Sequence, residues 1–118
     1  MPVLQMKTNY RFEENAKNNF MQDMTKLVSD ILNKPLGAVM GMISEESMCM
    51  NCSDDTCFFL ELRFVENGSE EERKAAREKI TDAFFEKITE YTKVASNRVY
   101  MQLTAMDPQD IWRYVPKA

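Results

Sequence analysis

Cys57-Phe58-Phe59-Leu60-Glu61-Leu62-Arg63-Phe64-Val65 alternates without a break: Phe58, Leu60, Leu62 and Phe64 share one side of an extended chain, and Phe59, Glu61, Arg63 and Val65 share the other. A wholly apolar face beside a mixed one predicts a strand packed on one side only. Just downstream, Ser69 precedes Glu72 by three positions, the spacing of a capping box, and Glu70-Glu71-Glu72 suits the positive end of a helix dipole. The helix that follows has the stripe Ala76, Ile80, Ala83, Phe84, Ile88 and Tyr91, and the charge run from Glu70 to Arg77 reads as its solvated face. Arg98 to Thr104 then alternates again, Val99, Met101 and Leu103 opposite Tyr100, Gln102 and Thr104, and a short final segment carries Trp112 and Tyr114.

The same order precedes the deciding stretch. Pro2 to Thr8 alternates as a first strand, with Leu4 and Met6 on one side and Val3, Gln5 and Lys7 on the other. Thr8-Asn9 can cap a helix, and Phe20, Met24, Leu27, Val28, Ile31 and Leu32 recur at three- and four-residue steps, predicting a helix from about Glu13 to Asn33. Pro35 blocks continuation, Ala38 to Ile43 reads as a second strand, and Met48 to Asp55 is polar and turn-like. The result is an α/β chain of the α+β kind: two β-α-β halves forming a four-stranded mixed sheet with both helices on one face. The opposite face mixes Val3, Gln5, Phe59, Glu61, Arg63, Val65 and Tyr100, a composition suited to neighbouring subunits around a wet interior.

At 118 residues the chain is expected to form one domain, 1–118, that buries about two thirds of its unfolded surface alone, assembly supplying more. Hydrophobic residues make up 44% and charged ones 29%, and no apolar run nears the ~18 residues of a membrane span. The net charge of −4, without a Lys/Arg cluster, speaks against nucleic acid. No basic region and apolar core open the chain, so cytoplasmic synthesis is expected, a non-classical export route being the remaining way out of the cell. With no His and three Gly, His-dependent triads, phosphate loops and dinucleotide fingerprints are absent. Cys49-Met50-Asn51-Cys52 has neither a second pair nor His to complete a zinc site, so the three thiols are expected to be buried or merely tolerated. The ten Met residues read as adaptable core filler.

Met1-Pro2 at the head of the first strand, Lys34-Pro35 ending the first helix and Asn97-Arg98-Val99-Tyr100 opening the last strand resemble, in their spacing as in their order, the macrophage migration inhibitory factor family of the tautomerase superfamily. The resemblance implies a homotrimer with sites between subunits and keto-enol tautomerase activity on phenylpyruvate-like compounds. It also leaves a second role open, that of a secreted, cytokine-like or host-modulating protein that binds a cell-surface receptor and keeps the pocket as a vestige. It implies that Pro2, freed by removal of Met1, is the catalytic base. An α-amino group titrates near about 7.7–8.0, and burial beside a cation favours its neutral form. Abstraction of an α-proton from a small aromatic keto or enol acid also needs a cation on the carboxylate, a role that falls to Lys34. The backbone around Val65 would help hold the substrate, Tyr100 and Gln102 would come from the adjacent subunit, and Trp112 would give an apolar wall. No metal or organic cofactor is expected.

Each residue also has an ordinary reading: Lys34-Pro35 as a helix end, Tyr100 as a subunit-contact aromatic, Trp112 as a core or interface plug. The chain departs from the family pattern in several places. Met50-Asn51-Cys52-Ser53-Asp54-Asp55 replaces a glycine-rich turn, Gln102 stands where the family has Asn, and Trp112-Arg113-Tyr114-Val115-Pro116 replaces the usual end, with Arg113 a second candidate carboxylate partner. Glu66, just after the middle strand, is expected to weaken binding of an anion by its charge.

Overall fold

In the computed structural model, which describes residues 1–117, the deciding stretch is a strand whose side chains alternate between buried and half-buried from Phe58 to Phe64. The elements run β1 (Val3–Thr8), α1 (Glu14–Leu32), β2 (Met40–Glu45), β3 (Phe58–Phe64), α2 (Glu70–Thr92) and β4 (Val99–Ala105). The sheet order is β2-β1-β3-β4, with β1 parallel to β2, β1 antiparallel to β3, and β3 parallel to β4. The mixed sheet and its two helices are as the pattern predicts. Between them Leu4, Met6, Phe20, Met24, Phe58, Leu60, Leu62, Phe64, Ile80, Phe84 and Ile88 form one buried cluster. Each such side chain contributes about 1.5–3 kcal/mol on leaving water.

The repeat that was visible only as a pattern is closely kept in the folded chain. Phe20, Met24 and Val28, the buried residues of α1, are matched 60 positions later by Ile80, Phe84 and Ile88 of α2. Asn33 and Lys93, again 60 apart, each end their helix in the left-handed region, at φ 53° and 57°. The helices are tied to one another by Tyr91, whose hydroxyl donates to Asp23 Oδ2 at 2.7 Å. That hydrogen bond to a carboxylate, with burial added, pushes the phenol up to about 12. A raised folded value stabilises below the ordinary value of 10.0, and the contribution disappears as pH climbs through about 12. Tyr91→Phe is therefore expected to cost about 1 kcal/mol in urea unfolding at pH 8, with the gap from wild type closing toward pH 12.

Three boundaries differ from expectation. Ala38 does not begin β2: Leu36–Ala38 form a 3-10 turn after Pro35, and the strand starts at Met40 and reaches Glu45. Gly41 is needed there, because a Cβ would stand 2.6 Å from Thr25 Cγ2 of α1. Thr8 and Asn9 do not cap α1, whose N-cap is Glu13. Their side chains hold the loop before β3 instead, Thr8 Oγ1 donating to the Cys57 carbonyl at 2.8 Å and Asn9 to the carbonyls of Asp54 and Asp55. The Met residues divide, Met6 and Met24 lying in the core while Met40 and Met42 are exposed on the helix-free face of the edge strand β2.

Candidate functional site

Lys34 is placed by the way α1 ends. Asn33 turns left-handed, the amides of Asn33 and Lys34 both donate to the Ser29 carbonyl, and the Ser29 hydroxyl donates to the Lys34 carbonyl at 2.6 Å. Fixed backbone on both sides holds the Lys34 Cα beside the end of β3. There a cavity of about 200 Å³ opens, with Ile31, Leu32, Phe64 and Ala76 as its apolar wall. Lys34, Val65, Glu66, Glu72 and Arg73 supply its rim.

Two of the expected residues, Lys34 and Val65, thus meet at one cavity. Pro2 does not line it but stands at the same end of the sheet: Val3 pairs with Arg63, which sets Pro2 beside Phe64, and the Pro2 carbonyl accepts from Met40 N at 3.1 Å. Pro2 is buried. Tyr100 and Gln102 lie elsewhere, on the helix-free face of the edge strand β4, with Tyr100 66% exposed. Ala105 is level with Phe64, so Tyr100 is about 17 Å along the strands and about 10 Å across them from Pro2. Within one chain those residues cannot contact one small molecule together. Trp112 is 84% exposed, its indole N–H donating to the Gln109 carbonyl at 2.7 Å.

Glu66 does not stand as an unpaired charge at the cavity rim. Arg77, eleven positions on, clamps its carboxylate through Nε at 2.7 Å and Nη2 at 2.6 Å. Those hydrogen bonds hold the Glu66 carboxyl below its ordinary range, and the charge of Arg73 acts in the same direction. Glu72 is also committed, closing the capping box with Ser69, whose backbone and hydroxyl keep its carboxyl low as well. Arg73 is the rim residue that the sequence did not reveal: in a run of charges it reads as solvated helix surface. Its Nε donates to the Gly68 carbonyl at 3.1 Å. Arg113 lies in the exposed tail and does not line this cavity.

The helix-free face is polar at its centre. Arg63 Nη2 donates to Glu61 Oε1 at 2.7 Å and Gln5 Oε1 at 3.5 Å, while Glu61 Oε2 accepts from Thr104 Oγ1 at 3.0 Å and Gln102 Nε2 at 3.4 Å. Opposite the cavity end, Cys49 and Cys52 are exposed free thiols on the loop before β3, and Cys57 is buried.

The sequence profile described as macrophage migration inhibitory factor matches residues 1–113. No curated protein matches the chain by sequence. Among solved structures, the macrophage migration inhibitory factor of Toxoplasma gondii superimposes with a TM-score of 0.81 at 23% identity, over 98% of this chain and 97% of that one. The macrophage migration inhibitory factor-like protein of Entamoeba histolytica gives a TM-score of 0.84 at 14% identity, over 97% and 95%. A third, solved after inactivation by 2-oxo-3-pentynoate, gives 0.76 at 17% identity, over 88% and 85%.

Proposed function

Because the chain belongs to the macrophage migration inhibitory factor family, we propose that it is a keto-enol tautomerase of the phenylpyruvate tautomerase type, with Pro2 as general base. The observation that carries this reading is that Lys34, with its backbone fixed, and Val65 line a cavity at the same end of the sheet as the buried Pro2. Removal of Met1 turns the Pro2 amide into a secondary amine. Burial and the nearby Lys34 charge both favour its neutral form, so it can take the proton from the carbon next to the keto group. Lys34 holds the carboxylate, and the same proton is delivered to oxygen in one direction and back to carbon in the other. The fold-mate inactivated by a 2-oxo alkynoate supports this class of substrate.

A homotrimer completes the proposal. Among the described residues each edge strand has one open side, with Met40, Met42 and Tyr100 exposed on the helix-free face, and a neighbouring chain can bring its Tyr100 and Gln102 to the Pro2 end of this one. The cavity of one chain is smaller than the ~300–1,000 Å³ usual for a ligand pocket, which agrees with a wall that comes from a neighbour. No cofactor is invoked. Cytoplasmic residence, with non-classical export, belongs to the same proposal.

The test is intact mass, native mass and phenylpyruvate tautomerase rate on one preparation. A trimer lacking one Met, with turnover, is the expected result. A trimer that has lost Met1 and shows no turnover would sink the enzymatic reading. That result would favour the second one, a cytokine-like protein binding a cell-surface receptor, for which the tail residues Trp112, Tyr114 and Val115, all more than two thirds exposed, offer an apolar contact.

A further inference from the structure

Asn67-Gly68 is the one Asn-Gly pair in the chain, and the fold places Asn67 on the rim of the same cavity, in the irregular stretch between β3 and α2. Both residues are exposed. Among the described residues neither the Asn67 side-chain amide nor the Gly68 backbone N–H takes part in a hydrogen bond. Glycine is required at position 68, where φ is 92° and a Cβ would stand 3.1 Å from Glu72 Cδ. The entry into α2 therefore keeps beside Asn67 the residue type that shields its own backbone nitrogen least.

We infer that Asn67 is a site of spontaneous modification, at which a neutral amide becomes a carboxylate on the cavity rim. Asparagine is among the thermolabile residues. The Gly68 nitrogen, giving up its proton, bonds to the side-chain carbonyl carbon of Asn67, and the bond from that carbon to the amide nitrogen breaks, so that ammonia leaves with the proton. One water then opens the five-membered imide at either carbonyl, which yields aspartate or, with one methylene added to the main chain, isoaspartate. Nothing but water is consumed. The new charge falls where the balance is narrow: Lys34 and Arg73 at the rim, with Arg77 on Glu66, stand against Glu66 and Glu72, which leaves one positive charge over. A carboxylate at Asn67 cancels it. The modification stands independently of the tautomerase reading, whereas its consequence, weaker binding of an anionic substrate, rests on that reading.

The test compares the full chain with Met1 removed when fresh and after days at physiological temperature and neutral pH. Peptide mapping at acid pH is expected to show a gain of one mass unit at Asn67, with isoaspartate beside aspartate. Asn67→Gln is expected to abolish the gain, because the longer side chain has to close a larger ring. Calorimetric binding of phenylpyruvate is expected to weaken roughly fivefold in the modified fraction and in Asn67→Asp, the scale of one unit charge about 4 Å away in water. High salt should shrink that difference. An unmodified Asn67 after the incubation, or equal binding by fresh protein, modified protein and Asn67→Asp, overturns the inference. Modification at Asn67 in a protein that, when fresh, neither binds nor turns over phenylpyruvate upholds the modification site and removes the tautomerase reading.

Discussion

Arg98→Ala is expected to cost about 3 kcal/mol in chemical unfolding and to strip hydrogen-exchange protection from the loop before β3. Arg98 is 9% exposed, and its guanidinium reaches four backbone carbonyls: Thr56 at 3.1 Å, Met50 at 2.9 Å, Ser53 at 3.1 Å and Asp55 at 2.8 Å. The loop has little else to define it. Met50 and Ser53 exchange a pair of backbone hydrogen bonds across Asn51 and Cys52, both at positive φ, and Asn9 holds Asp54 and Asp55. Three of the four carbonyls therefore have a second donor, and truncation leaves mainly Thr56 unpaired. The cost stays below four full hydrogen bonds for that reason. Arg98→Lys should recover less than half of it, because an ammonium cannot span the four acceptors as a planar fork does. A loss under 1 kcal/mol for Arg98→Ala would show that the loop holds its shape without this anchor.

Local pattern carried the fold further than the site. The face of β3 and the capping box of α2 depend on neighbours two to four residues apart, so alternation and the Ser69 to Glu72 spacing were sufficient to read them. The start of β2 is not legible because Leu36-Gly37-Ala38 is apolar yet turns, and apolar content alone does not separate a strand from a tight turn after Pro35. Thr8 and Asn9 looked like caps since their chemistry suits a helix start, but partners nearly fifty residues away take them. The same limit hid Arg73. Its exposure is legible in the charge run, whereas its place opposite Lys34 exists only once α2 packs beside the end of α1. Glu66 shows the converse: its charge is legible, its pairing with Arg77 is not. Nothing in the periodicity sets Lys34 or Val65 apart; the family resemblance alone singles them out, and the fold brings both to one cavity.

Pro2→Gly is expected to lower kcat/KM for phenylpyruvate about a hundredfold, toward the lower end of the ~10²–10⁴ that a positioned general base contributes. The loss is not total because glycine still presents an amine once Met1 is removed. What it lacks is the ring. Pro2 is buried and its carbonyl is held by Met40 N, and the pyrrolidine ring, by tying the nitrogen to its own side chain, limits the directions the amine can take. A glycine amine can swing away from the substrate, at an entropic cost to the near-attack geometry. The pH profile separates this from simple destabilisation: wild-type kcat/KM should fall as pH drops and the freed amine becomes protonated. Retention of Met1 should remove the profile altogether, since an amide nitrogen has no basic lone pair to titrate. Full activity in Pro2→Gly at an unchanged melting temperature would show that the ring contributes nothing, and full activity with Met1 retained would assign the proton transfer to another group and leave Lys34 and Val65 as a binding pocket without this base.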